Sequence, residues 1–135
     1  MTRDARIKSF RGEFTLTSAS DSKDTTQSVV EQYFSCMRAG DAGVADLFHE
    51  DAFLLGLGRR TEGRESIRKF YTESIETGAP QPRLASPMLL EGNRVAAEIL
   101  IDLADGTTAH VIDLFCVEEG AIRSLTYFVA DEPQD

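Results

Sequence analysis

Apolar residues recur at helical spacing in the first half of the chain and alternate at strand spacing in the second. Between Thr26 and Ala39, the residues Val30, Tyr33, Phe34 and Met37 fall at i, i+3, i+4 and i+7. That makes one apolar stripe and predicts an amphipathic helix. Gly40-Asp41 follows the last periodic residue, the usual stop. Residues 42–48 read as a second short helix with Val44, Leu47 and Phe48 inward, and His49-Glu50-Asp51 as a polar turn. Ala52 to Leu57 reads as a short strand, interrupted at Gly56 and running into the loop GRRTEG. Ile67, Phe70, Tyr71 and Ile75 give a third helical stripe over 64–76, which Gly78, Pro80 and Pro82 end.

Everything after Pro82 reads as strand and turn. Strands are expected at 83–91, 94–103, 107–118 and 121–129, with turns at Glu91-Gly92-Asn93, Asp105-Gly106 and Glu119-Gly120. In the 94–103 strand, Val95, Ala97, Ile99, Ile101 and Leu103 share one clean face. The 107–118 strand is apolar on both faces, with Ala109, Val111, Asp113, Phe115 and Val117 on one and His110, Ile112, Leu114 and Cys116 on the other. Such a strand needs cover on both sides. A carboxylate within it, Asp113, must find a partner or take up a proton, as either a structural acid or a working one. Helices first and a meander of strands afterwards predict an α+β domain, a curved and mostly antiparallel sheet with helices packed on one face. A second subunit, sheet to sheet, would cover the other face and make a homodimer.

The division expected is an arm and linker at 1–25, a domain at 26–131 and a tail at 132–135. The 135 residues suffice for one core. A net charge of −9 argues against nucleic acid and anionic membrane as partners. That charge is uneven, because residues 1–11 carry +3 and the remainder −12. Apolar runs fall short of the roughly 20 residues of a membrane span. The N-terminus lacks the apolar stretch of a secretory signal. Cys36 and Cys116 lie far apart in apolar surroundings and read as thiols, so the expected location is cytoplasmic. Two histidines without ligand spacing and no CxxC motif predict no metal site, and no nucleotide or hydrolase motif implies a cofactor.

Four segments in order, VVEQYFSCMRAGD (29–41), LFHEDAF (47–53), TEGRESIRKFY (61–71) and HVIDLFCVEEGAIRSL (110–125), carry a likeness over about residues 26–130. The chain resembles the nuclear-transport-factor-2-like (NTF2-like) superfamily and, within it, the ketosteroid isomerase and SnoaL-like polyketide cyclase group. The resemblance implies a cystatin/NTF2-like cone. It implies that Tyr33 hydrogen-bonds a substrate oxyanion and that Asp113 is an acid kept protonated by an apolar site. It also implies a general-base aspartate on the first strand, where this chain has Gly56. The pair for an oxygen is present and that base is missing, which argues against steroid isomerisation itself.

Phe34, Phe53, Leu55, Leu57, Phe70, Met88, Phe115 and Tyr127 are available to line a pocket for a hydrophobic small molecule. The function expected is cofactor-independent isomerase, cyclase or dehydratase chemistry on a hydrophobic oxygenated substrate. The alternatives are a non-catalytic ligand-binding module and a dimeric interaction domain. Arg59 and Arg60, in the loop after the first strand, are either solvated surface cations or an attraction for an anionic ligand near the pocket mouth.

Overall fold

The computed structural model describes residues 18–130. The expected basic arm at 1–14 and tail at 132–135 lie outside the described residues. Helix α1 spans Ser18–Ala39 and so begins eight residues ahead of the start expected at Thr26. Residues 18–25, expected as linker, form its opening turns. Its buried apolar residues are Val29, Val30, Tyr33, Phe34 and Met37. Gly40 ends it at φ 66°, a left-handed conformation that glycine adopts without Cβ strain. A short 3₁₀ segment follows at Ala42–Leu47, capped by the Asp41 side chain, which accepts from the Gly43 N–H at 2.8 Å.

The strands are β1 (Phe48–Gly56), β2 (Arg59–Glu62), β3 (Gln81–Leu84), β4 (Leu89–Glu91), β5 (Arg94–Asp102), β6 (Thr108–Glu118) and β7 (Ala121–Val129). Helix α2 (Arg64–Gly78) lies between β2 and β3. One sheet holds all seven strands, in the order β2-β1-β7-β6-β5-β3, with β4 paired to β5. Every pairing is antiparallel except that of β1 with β7. The expected α+β architecture is therefore present, with three local differences. The GRRTEG loop contains β2, because Gly56-Leu57-Gly58 turns the chain back onto β1. The polar triplet His49-Glu50-Asp51 belongs to β1, and Arg123 of β7 pairs with Asp51. The 83–91 strand is two strands, interrupted at the bend around Ser86-Pro87 where proline removes a ladder donor.

The core lies between the helices and the concave sheet face. Val30, Ile67, Val95, Ala97, Phe115, Ile122 and Leu125 are fully buried there. Among the described residues no helix covers the opposite face, and Leu55, Ile112 and Phe128 are exposed on it.

Candidate functional site

Alternation along β6 sends Val111, Asp113, Phe115 and Val117 into the core and leaves Ile112 outside. Register places Asp113 beside Ala97 of β5 on one side and Tyr127 of β7 on the other. Ala97 is small and apolar, so only the β7 side offers a polar neighbour within the sheet. From above, α1 supplies Tyr33 and α2 supplies Tyr71. The Tyr33 hydroxyl is 2.9 Å from that of Tyr71 and 3.5 Å from that of Tyr127, and the Tyr71 and Tyr127 hydroxyls are also hydrogen-bonded. Three hydroxyls thus meet at one point beside Asp113.

Donor counting shows what this cluster can do. Each phenol brings one proton. The two close links consume two of them, and the third contact, at 3.5 Å, is at the limit of a hydrogen bond. One of the three tyrosyl protons is left for another oxygen. Asp113 is 1% exposed, and its Oδ1 has no hydrogen-bond partner among the described residues. Burial pushes its carboxyl up to about 8, so at neutral pH it is predominantly the neutral acid and a donor itself. Burial also holds the Tyr33 and Tyr71 phenols well above their usual range, and Tyr127 adds to the effect at both, while the hydrogen bond with Tyr33 works against it at Tyr71. Burial and the Asp113 charge do the same at Tyr127. All four groups therefore present protons rather than charge.

These groups border a cavity of about 260 Å³ between the helices and the sheet. Its other walls are almost entirely apolar: Phe34 and Met37 of α1, Phe70 of α2, Ile99 and Ile101 of β5, and Val111 of β6, with Ser74 an additional polar residue. Of the residues expected to line a pocket, Phe34, Leu57, Phe70 and Tyr127 do, and Tyr33 and Asp113 join them there. Phe53, Leu55, Met88 and Phe115 do not. Phe53 and Leu55 alternate with the buried Ala52 and Leu54 and so face the outer side of the sheet. Phe53 lies there beneath the Arg60 guanidinium, 3.9 Å from its ring centroid. Phe115 is completely buried beneath Tyr33, ring centroids 5.1 Å apart, and supports that tyrosine. Met88 packs against the core without reaching the cavity.

Tyr71 is the site residue that pattern reading placed only in a helix stripe. Its signal was in the sequence nonetheless, since a tyrosine in an apolar stripe needs a partner for its hydroxyl and Tyr33 poses the same demand. Glu98, the nearest strand carboxylate, lies on the outer face, where it accepts from Ser86 at 2.9 Å and pairs with His110 at 2.7 Å. His49 Nε2 lies 2.6 Å from the Glu118 carbonyl, on the sheet and away from the cavity. Among the described residues no cluster of His, Cys, Asp or Glu could hold a metal ion.

The position at which the resemblance expects a base has a physical reason to be empty. A Cβ on Gly56 would stand 2.8 Å from both the Cβ and the carbonyl oxygen of Tyr127, and its φ is 143°. Strand β7 has taken the space.

The family model for the SnoaL-like domain matches residues 30–125. The chain belongs to the SnoaL-like domain family. A comparison with curated proteins finds no match. Among solved structures, a candidate ketosteroid isomerase from Kribbella flavida is similar at 20% identity, with 84% of this chain and 83% of that one covered and a TM-score of 0.74. An NTF2-like protein of unknown function from Cytophaga hutchinsonii is similar at 20% identity, covering 78% and 89%, TM-score 0.68. A candidate polyketide cyclase from Sinorhizobium meliloti is similar at 16% identity, covering 75% and 94%, TM-score 0.69. At these identities the likeness is one of fold, and the fold is NTF2-like. Chemistry has to be argued from the cavity.

Proposed function

We propose that the cavity binds a hydrophobic small molecule by an oxygen, and that Asp113 and the tyrosine cluster donate hydrogen bonds to that oxygen. The observation that carries this reading is Asp113 Oδ1, buried, without a partner among the described residues, and bordering the cavity beside three hydroxyls. A buried polar atom left unsatisfied costs about 1–3 kcal/mol, which a ligand oxygen accepting from the neutral acid would recover. A carbonyl, enol or phenol oxygen that gains negative charge would be stabilised further by two converging donors in an apolar site. The reaction types that need only this are isomerisation, cyclisation or dehydration of an oxygenated substrate, with Asp113 moving the proton. A binding protein without turnover is the second reading. It is favoured by Gly56, since the cavity wall holds Asp113 as its single carboxylate among the described residues.

The test is a fluorescence titration of a phenolic polycyclic ligand against wild type and Tyr33→Phe. Saturable binding weakened about tenfold in the variant, corresponding to roughly 1.4 kcal/mol, is the expected result. Absence of binding to either protein would leave Tyr33 and Asp113 as core residues and end the proposal.

A further inference from the structure

No cation lines the cavity among the described residues, but Arg59 lies against one of its lining residues, Phe70. Leu57 borders the cavity yet is 62% exposed, so it marks the mouth, at the tip of the β1–β2 turn. Phe70 of α2 also lines the cavity, and the guanidinium of Arg59 lies 5.5 Å from its ring centroid. Arg59 and its neighbour differ in their partners. Arg60 is paired with Glu62 and stacked on Phe53 of the outer face. Arg59 has no carboxylate partner among the described residues and rests on the aromatic ring alone, which leaves its N–H donors available. In a chain of net charge −9, a cation without an acid at the mouth of an apolar cavity is a distinct feature. The cavity is also small, since about 260 Å³ falls below the usual range for a drug-sized ligand. A larger molecule would therefore fill it with its apolar body and leave one end at the rim.

We infer that the ligand carries an oxyanion, a carboxylate or phosphate, at the end opposite its acceptor oxygen, and that Arg59 binds it at the cavity mouth. This rests on the proposed oxygen-binding role of Asp113 and the tyrosines. An oxyanion suits the planar guanidinium, which can offer two parallel N–H donors. Ligand length then becomes a criterion of selection: the body must span from the hydroxyl cluster to the rim.

The experiment compares naphthol probes by fluorescence. One probe is unsubstituted. The others carry a carboxylate, a carboxyethyl chain, a phosphate or an aminomethyl group at the far end from the hydroxyl. Each is titrated into wild type, Arg59→Gln and Arg60→Gln at low and high salt. An exposed ion pair of ordinary strength gives roughly three- to fivefold tighter binding of at least one anionic probe over plain naphthol. That gain should vanish in Arg59→Gln, persist in Arg60→Gln and shrink as salt rises. Which anionic probe gains more separates carboxylate from phosphate. If naphthol binds and no anionic probe binds better, or if the gain survives Arg59→Gln, the Arg59 assignment fails while the oxygen site stands. If no probe binds at all, the oxygen site fails and this inference with it.

Discussion

Asp113 sits between an alanine and a tyrosine on its neighbouring strands, under two more tyrosines from the helices, and among the described residues no cation lines the cavity beside it. Its proton is therefore held by burial alone. Because the folded value, about 8, lies above the ordinary carboxylate value, the folded protein binds a proton that the unfolded chain has released between about pH 4 and pH 8. The stability associated with that proton is complete below about pH 4. It falls by up to roughly 1.4 kcal/mol per pH unit and is lost as pH rises through the folded value. Thermal unfolding should show the wild-type Tm declining from about pH 5 to about pH 8, and Asp113→Asn should flatten that slope. An equally steep decline in the variant would assign it to other groups. Gly56 is the second residue on which the site depends. Gly56→Ala forces a Cβ against Tyr127 at an unfavourable φ and should cost about 2–4 kcal/mol in denaturant unfolding. A cost under about 0.5 kcal/mol would show that β7 can yield and that position 56 is open to a side chain.

At the scale of elements, the helices and the long strands were legible because their apolar periods are clean. The stripe at Val30, Tyr33, Phe34 and Met37, and the alternation from Val95 to Ile101, each correspond to buried faces. What was not legible depends on contacts between distant elements. The parity of β1 is fixed by its pairing with β7, which buries Ala52 and Leu54 and turns Phe53 and Leu55 outward. Hydrophobicity alone does not separate these four residues, so two outer-face residues were expected in the pocket. The hydroxyl cluster is illegible for a related reason: it joins α1, α2 and β7 across separations of 38, 56 and 94 residues. Each tyrosine on its own reads as core. Asp113 stood out as a carboxylate in an apolar strand, Tyr33 came through family resemblance, and the structure brings both to one cavity.

For the whole molecule, the outer sheet face poses the remaining question. Leu55, Ile112 and Phe128 are exposed on it at 41%, 44% and 54%, with Ile112 and Phe128 in direct register on adjacent strands. A second copy packed on this face would bury them, and a stable interface needs about 800 Å² per partner. We expect the wild type to sediment as a dimer at micromolar concentration and Ile112→Glu or Phe128→Glu to sediment as monomers, since an unpaired charge at such a contact is costly. A monomeric wild type would show that the face stays solvated. No helix among the described residues is long and apolar enough to cross a membrane. The site is enclosed by one chain, so loss of the dimer should leave its groups in place.

The measurement that bears most directly on the central claim is the protonation state of Asp113 itself. Carboxyl-labelled aspartate would be followed by carbon NMR across pH in wild type, with Asp113→Asn used to assign its signal. The account predicts one carboxyl titrating near pH 8 in the free protein, with its chemical shift changed when a phenolic ligand saturates the cavity. A signal already ionised at about pH 6, or one indifferent to the ligand, would contradict it.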